Sequence, residues 1–216
     1  TSTPELPATT LTQYCYDSMF SSCRSLTSSS VPELPATTLA SYCYRLMFWG
    51  CAGLTTAPEL PATDLSNAGG CYYQMFSFCT GLTSTPELPA TTLAASCYGS
   101  MFYGCTSLTS ASTSIGNSAT TISYSACTSM FRNCTSLTTA PELPATTLSD
   151  YCYHSMFSGC TSLTTAPELP ATTLVNSCYR EMFRDCTSLN YIKCLATSIP
   201  SILCTLDWVN NVASAG

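Results

Sequence analysis

Apolar residues advance in steps of four through residues 148–160, and an aromatic residue follows two of them. The members of this pattern are Leu148, Cys152, Tyr153, Met156, Phe157 and Cys160. Such spacing is typical of one face of a helix of about three turns. Thr147 precedes the stretch as a suitable N-cap residue, and Gly159 lies near its end. The pattern therefore predicts an amphipathic helix whose apolar face packs into a core.

The segment before this helix, residues 137–147 (LTTAPELPATT), is too short and too rich in proline for a second helix. Residues 137–140 predict a short strand that ends at Pro141, because proline has no amide hydrogen to donate to a neighbouring strand. A strand, a turn and a helix make one unit of an α/β repeat solenoid. Parallel strands about 4.8 Å apart and helices about 10 Å apart predict a curved stack with the strands inside and the helices outside.

The same pattern returns along nearly the whole chain, and each copy is marked by a Met-Phe pair. The methionines of these pairs are Met19, Met47, Met75, Met101, Met130, Met156 and Met182. Successive pairs are separated by 28, 28, 26, 29, 26 and 26 residues, so the commonest period is 26. Extra residues around Ser30 and at 68–70 predict loops. The sequence thus predicts about seven stacked units that share one core.

The fifth copy departs from this frame because it lacks the PELP motif and gains three residues. We expect Ile115 and Ile122 to take its apolar positions. A bulged loop is predicted around Gly116 and Asn117.

The end of the chain also differs from the repeats. We expect residues 1–189 to form the repeat array, without an N-terminal cap, and residues 190–216 to form a C-terminal capping segment. The capping segment has strand positions at Tyr191 and Ile192 and a helix-like last part in which Trp208 covers the open end of the core. The apolar residues of that last part are Ile202, Leu203, Leu206, Trp208 and Val209.

The amino-acid composition indicates where in or outside the cell such a repeat array would be found. Hydrophobic residues make up 45% of the 216 residues and charged residues only 8%, against roughly 25% in an ordinary soluble domain. The net charge of -6 argues against a nucleic-acid partner, and no apolar run reaches the roughly 18–20 residues that span a bilayer. We therefore expect an extracellular or surface-displayed protein. Because the chain starts inside a repeat without a methionine, we expect a fragment of a longer chain.

The repeated step Met-Phe-x-x-Cys-Thr-Ser-Leu, seen for example from Met156 to Leu163 and repeated with PELPATTL, resembles the BspA-type leucine-rich repeats. Those repeats occur in surface proteins of gut and oral Bacteroidetes and in related phage proteins. The resemblance covers residues 6–189, and the closing segment is similar to the ends of many such proteins. It implies a leucine-rich-repeat fold and an adhesion or binding role without naming a ligand. The 26-residue unit is longer than the family's common form.

Sixteen cysteines suggest a disulfide framework at first sight. Seven pairs recur: Cys15/Cys23, Cys43/Cys51, Cys71/Cys79, Cys97/Cys105, Cys127/Cys134, Cys152/Cys160 and Cys178/Cys186. Two cysteines eight residues apart on a helix lie about 12 Å apart, whereas a disulfide needs Cα atoms within roughly 7 Å. Helices about 10 Å apart would also hinder pairing between copies. We interpret the pairs as two columns of buried, reduced thiols, and a bridge between Cys194 and Cys204 stays open.

We find no set of residues that predicts catalysis, a cofactor or a metal site, so we do not expect an enzyme. His154 is the only histidine, there is no Cys-x-x-Cys spacing, and no glycine-rich phosphate loop is present. The PELP motif places one glutamate in most of the copies. Together these glutamates form either a solvated row or a ridge that binds a cation or a partner. These glutamates are Glu5, Glu33, Glu59, Glu87, Glu142 and Glu168.

The copies differ most between the Tyr and Met and between the Phe and Cys of the frame. On a helix these positions lie opposite the apolar stripe, and they carry aromatic residues and arginines, which are enriched at binding hot spots. Neutral sequence drift at exposed positions would explain this variation. A displayed recognition surface whose residues differ between copies would explain it as well. The candidate binding residues are Trp49, Phe78, Tyr103, Arg45, Tyr73, Arg132, His154, Arg180 and Arg184.

These observations favour a non-catalytic recognition or adhesion module that binds a protein or glycan on another cell or surface. The alternative is a structural subunit of an extracellular filament or phage fibre that self-associates through the ends of the solenoid. A threonine array that binds ice or a crystal surface is a third possibility, and the recurring Thr-Thr pairs are its only support. The partners expected include neither nucleic acid nor a membrane span.

Overall fold

The computed structural model describes residues 3–113, 115–116 and 119–213, which form a stack of repeated turns. Two 3₁₀ helices, Ser28–Ser30 and Ile202–Cys204, are the helical elements of these residues. Parallel pairing between copies occurs as isolated bridges. None of the described helices has the length and apolar character needed to cross a membrane. The chain is a repeat solenoid, as predicted, but its units are not the strand-and-helix units expected.

The segment predicted to be a helix in each copy, residues 148–160 in the sixth, is instead a chain of four-residue turns. The amide of Cys152 donates to the carbonyl of Ser149, three residues back, at 3.2 Å, and the same bond recurs at every second residue up to Cys160. An α-helix would bond to the fourth residue back. Tyr151 has a left-handed φ of 58°, which no regular right-handed helix contains. The helix prediction is therefore wrong.

The other amides of the segment donate to the next copy. The amide of Tyr153 donates to the carbonyl of Cys178 at 3.2 Å, and that of Phe157 to the carbonyl of Met182 at 2.9 Å. The rings of Phe157 and Phe183 are 5.7 Å apart, far less than the 8–10 Å between packed helices. Copies lie too close for helices to fit side by side, so the reason for expecting a curved stack no longer applies.

Each copy depends on its neighbour to hold this backbone. In the sixth copy Tyr151, Ser155 and Gly159 are left-handed, with φ of 58°, 53° and 78°. The left-handed conformation costs an L residue about 1 kcal/mol or more, so only the glycine adopts it without strain. Hydrogen bonds to the next copy and burial of the side chains must offset that cost. A copy without a neighbour lacks both.

The part of each copy that was predicted to be a strand pairs with the next copy through isolated single-residue bridges. Thr139 pairs in parallel with Thr165, and a second row of bridges, such as Thr121 with Thr147, lies at the Thr-Thr pairs. The parallel direction agrees with the prediction, but strands of three or four residues are not formed. The prolines of PELP lie between the two rows and have no amide hydrogen with which to continue the pairing.

An apolar interior runs from copy to copy, although Met19 and Cys23 of the first copy are exposed. The phenylalanine ring of each copy stacks on that of the next, with centroids 5.5–5.7 Å apart and planes within 10° of parallel. The stacked rings are Phe20, Phe48, Phe76, Phe102, Phe131, Phe157 and Phe183. Cys152, Met156 and Cys160 have no exposed surface. The predicted core of leucine, cysteine, methionine and phenylalanine ranks is confirmed.

All sixteen cysteines are free thiols, and all but Cys15, Cys23 and Cys194 are buried. The second cysteine of a copy donates its Sγ–H to the phenylalanine carbonyl of the preceding copy, as Cys160 does to Phe131 at 3.0 Å. The same bond occurs in the other copies from the second to the seventh, at 3.0–3.1 Å. Buried reduced thiols are thus confirmed, although the wide helix spacing that supported the prediction is absent.

Cys127 does not take the position predicted for it. The amide of Tyr98 donates to the carbonyl of Ala126, and that of Cys127 to the carbonyl of Cys152. In the other copies these bonds involve the first cysteine and the tyrosine that follows it. Ala126 therefore holds the cysteine position and Cys127 the tyrosine position, where it interrupts a stack of tyrosine rings that resumes at Tyr153.

The apolar positions of the fifth copy are filled as predicted. Ile115 and Ile122 are both buried. Gly116 has a left-handed φ of 79°, which glycine adopts freely, as a turn at this place requires. Asn117, the other residue of the predicted loop, lies outside the described residues.

The C-terminal segment continues the hydrogen bonding of the repeats. The carbonyl of Trp208 accepts a bond of 2.9 Å from the seventh copy, and its ring stacks on Tyr179 at 6.4 Å. The helix predicted for this part is wrong, because the helical structure found here is the single turn Ile202–Cys204. The division into an array of residues 1–189 and a cap of residues 190–216 stays a prediction.

Candidate binding surface

The nine candidate binding residues lie on the turns, between the buried positions of the frame. Phe78 is exposed, and the other eight are half-buried. Those eight are Trp49, Tyr103, Arg45, Tyr73, Arg132, His154, Arg180 and Arg184. Because the described segments that carry them are chains of turns and not helices, they do not form one face opposite an apolar stripe. The structure groups most of them into an aromatic patch, an arginine site at the second copy and a basic cluster.

Trp49, Phe78 and Tyr103 form the aromatic patch. Their rings come from three successive copies and touch edge to face, with centroids 5.7 Å apart for Trp49 and Phe78 and 5.1 Å for Phe78 and Tyr103. Edge-to-face contact is a favoured arrangement of aromatic pairs. The three rings therefore make one continuous apolar surface across copies two to four.

Two aromatic rings of this face rest on glycines of the next copy. A Cβ at Gly104, whose φ is 71°, would lie 2.8 Å from the ring of Phe78, and a Cβ at Gly99 would lie 2.8 Å from the ring of Tyr73. Any larger residue would push these rings away. Gly104 holds the same position as Gly159, which was expected near the end of a helix, but its glycine instead lets the ring of Phe78 approach the backbone.

An open groove of about 410 Å³ lies beside the aromatic patch. Trp49 and Phe78 line it together with Arg24, an exposed residue that the sequence did not single out. Arg24 follows the second cysteine of its copy, where the other copies have threonine or alanine. That difference between copies was the available signal. The groove thus adds one positive charge next to the aromatic rings.

Arg45 is held by its neighbours in the first two copies. It forms a two-point ion pair with Asp17, at 2.8 and 3.2 Å, and lies over the rings of Tyr14 and Tyr42 at 5.8 and 5.7 Å. The hydrogen bonds that Arg45 donates to Asp17 raise the pKa of Arg45 above its ordinary value. The stacked Tyr14 and Tyr42, 5.2 Å apart, are exposed aromatic residues that the sequence reading missed. Their common position one residue before a cysteine was the signal.

Arg132, His154, Arg180 and Arg184 form the basic cluster, in copies five to seven. Arg180 lies 3.4 Å and Arg184 lies 4.0 Å from the carboxylate of Glu181, and Arg184 also approaches Asp185 at 3.5 Å. Arg132 makes no ion pair within the described part of the chain. Its Nε is buried there without a hydrogen-bond partner.

His154 lies at the centre of this cluster. Its ring packs edge to face on Tyr151 at 5.9 Å. Burial lowers the pKa of His154 below its ordinary value, and the charges of Arg180 and Arg132 lower it further, while Glu181 opposes them. The imidazole is therefore mostly neutral at neutral pH and gains a charge only on acidification.

The glutamates of the PELP motifs lie along a different edge and are exposed. A groove of about 650 Å³ opens between the first two PELP segments, lined by Glu5 and Glu33 among others, and Lys193 pairs with Glu168 at 2.7 Å. Within residues 3–113, 115–116 and 119–213, acidic, histidine and cysteine side chains do not cluster in a way that could hold a metal ion. The edge is therefore polar and solvated, apart from its proline-lined grooves.

Comparisons with known proteins add little to this description. No protein-family profile and no curated protein matches the chain. The crystal structure of a leucine-rich cell surface protein from Faecalibacterium prausnitzii A2-165 is similar at 22% identity and a TM-score of 0.36. That similarity covers 76% of this chain, which spans about a third (34%) of the other. The repeat solenoid therefore rests on the contacts described above.

Proposed function

We propose that this chain is a non-catalytic recognition module, displayed at a cell surface, that binds a protein or glycan. Binding uses its turn face, the surface formed by the turns that carry Trp49, Phe78 and Tyr103. The observation that carries the proposal is the aromatic patch of Trp49, Phe78 and Tyr103. Three rings from three copies form one surface that the solenoid's own core does not need.

The contrast between the interior and the turns supports this function. The Phe and Met ranks and the rank of the second cysteine keep the same residue types from copy to copy, because stacked copies must fit one another closely. At the turn position of Trp49 the other copies have serine, tyrosine or arginine. Tryptophan, tyrosine and arginine supply most of the energy at protein interfaces. A fixed frame with variable turns is the arrangement of a binding scaffold.

The setting we propose follows from composition and from the repeat pattern. With only 8% charged residues the exposed surface consists mainly of serine and threonine, as suits an extracellular module. The resemblance to BspA-type repeats supports display on a bacterial cell or a phage particle. Assembly through the ends of the array, the alternative function, stays a prediction.

Replacing Trp49 and Tyr103 together by alanine is expected to weaken binding at least tenfold without unfolding the chain. Both side chains are half-buried at the surface, and neither belongs to the stacked core. Binding would be measured on a glycan array and on immobilised fibronectin, laminin and mucin. Tyr191→Ala, which removes an exposed aromatic residue elsewhere, is the matched control. Equal binding by the double variant and the parent, or no binding to any probe, would contradict the proposal.

A further inference from the structure

Half of the basic residues of this acidic protein lie in three successive copies. Arg132, Arg180 and Arg184 are three of its six basic residues, all in copies five to seven, and Arg132 and Arg180 lie near His154. The protein as a whole carries a net charge of -6. A local excess of cations on a negative molecule attracts an anion to that place rather than to the surface in general.

The carboxylates of the cluster leave part of this charge uncompensated. Glu181 is shared between Arg180 and Arg184, and Asp185 pairs with Arg184, whereas Arg132 has no ion pair within the described residues. Within the described part of the chain the Nε atoms of Arg132 and Arg180 are both buried without a hydrogen-bond partner. An arginine binds a carboxylate or sulfate through two parallel N–H donors, so the half-buried guanidinium of Arg132 is suited to an anion.

The basic cluster continues directly from the aromatic patch. The side-chain amide of Asn133, next to Arg132, donates to the Tyr103 hydroxyl at 3.4 Å. Trp49, Tyr103 and Arg132 also hold the same position of the frame, in copies two, four and five. The rings of the aromatic patch in copies two to four are therefore followed by the basic cluster in copies five to seven, at about 5.6 Å per copy.

We propose that this face binds an anionic glycan, with a carboxylate or sulfate of the glycan on Arg132 and His154 and its sugar rings against Tyr103 and the aromatic patch. The inference rests on the proposed function and names its ligand class. A glycan suits the site because aromatic rings stack against sugar rings while arginines bind its anionic groups, and the copies that carry both follow one another about 5.6 Å apart.

The proposal has a pH signature. His154 faces the ring of Tyr151 and the charges of Arg132, Arg180 and Glu181. Acidification protonates the imidazole and adds a positive charge to the site. Affinity for an anion should therefore rise as the pH falls below the ordinary pKa of histidine, and added salt should weaken it.

Titration calorimetry with heparin, hyaluronan and neutral dextran tests the inference on the intact chain. We expect the two anionic glycans to bind and dextran to bind at least tenfold more weakly. Arg132→Gln should lower the affinity at least tenfold, and Lys193→Gln, which removes a cation elsewhere, should leave it unchanged. His154→Gln should abolish the rise in affinity on acidification. Binding of heparin alone or of hyaluronan alone would support the proposal and identify sulfate or carboxylate as the group bound.

Two results would overturn the inference. One is equal affinity of the parent and Arg132→Gln for both anionic glycans. The other is binding of poly-glutamate as tightly as either glycan, which would point to an acidic protein partner. If the Trp49 and Tyr103 double variant still lost its binding to the array probes in either case, the recognition function would stand and only the anionic ligand would be wrong.

Discussion

Raising the pH above 9 in the presence of a reductant is expected to unfold the protein. Burial raises the pKa of the Cys97 and Cys105 thiols to about 12, and it raises the pKa of Cys71, Cys134 and other buried thiols well above the ordinary value of 9.0. These side chains have no exposed surface in the folded chain. The interior therefore holds many groups that resist ionisation as long as the copies stay stacked.

The direction of the effect follows from proton linkage. Between pH 9 and 12 the folded thiols keep their protons, whereas the same thiols in the unfolded chain lose theirs. The stabilisation is complete below pH 9 and is lost as the pH rises toward the folded pKa. Because one pKa unit corresponds to about 1.36 kcal/mol, several thiols together exceed the roughly 5–15 kcal/mol by which a typical domain is stable.

Urea unfolding followed by tryptophan fluorescence at a series of pH values measures this dependence. The midpoint should be constant up to about pH 8 and fall steeply above pH 9. Cys23→Ser removes an exposed thiol and should leave the dependence unchanged, whereas Cys105→Ala should make it shallower. A midpoint that stays constant to pH 11 would show that the thiols are not buried in a shared interior.

Phe102→Ala is expected to destabilise the chain by about 3–5 kcal/mol, the usual cost of removing a buried phenylalanine. The Phe102 ring lies between those of Phe76 and Phe131, at 5.6 and 5.5 Å, and has no exposed surface. Truncation leaves a gap in the middle of the stack. The loss therefore weakens the contact of the fourth copy with both neighbours, and unfolding in more than one step should follow.

Comparing the urea denaturation of Phe102→Ala with that of Phe78→Ala distinguishes the stability contributed by the core from that contributed by the surface. Phe78 is 41% exposed, and its removal should cost less than about 1 kcal/mol in stability. A similar stability loss in the two variants would mean that the phenylalanine stack does not hold the copies together.

The core could be predicted from the sequence because its chemistry repeats. Met156 and Phe157 recur with the same apolar neighbours in every copy, and no other place in a stack accepts so many large apolar residues. The burial of the thiols followed from the same argument, but their free state was inferred from a helix spacing that the structure does not have. Their hydrogen bonds, such as that from Cys160 to Phe131, could not be foreseen, because they depend on the spacing between copies.

The helix was wrongly predicted because a step of four residues fits two structures. A helix turns by 100° per residue, so positions four apart drift around it by about 40° per step, and three steps separate Leu148 from Cys160 by about 120°. A chain of four-residue turns has a period of four without drift. The unchanging spacing of four residues between the apolar positions was therefore evidence against a helix. The left-handed positions, such as Tyr151 and Gly159, follow that same period.

The candidate residues could be identified from the sequence, but their grouping could not. Trp49 and Tyr103 follow the phenylalanine of the frame directly, whereas Phe78 stands one position later, so nothing in the alignment indicates that the three rings touch. The ion pair of Arg45 with Asp17 likewise depends on contact between copies. Predicting such contacts requires the distance between neighbouring copies. The assumption that the copies contain helices made that distance too large.

Far-ultraviolet circular dichroism of the intact protein tests the central claim most directly. The claim is that each copy is a chain of turns whose alternate amides bond to the next copy, which allows the stacked interior. The account predicts a spectrum without the double minimum of an α-helix and a helix content near zero. A spectrum that indicates roughly a third of the chain as helix, the content expected from three helical turns in each copy, would contradict it.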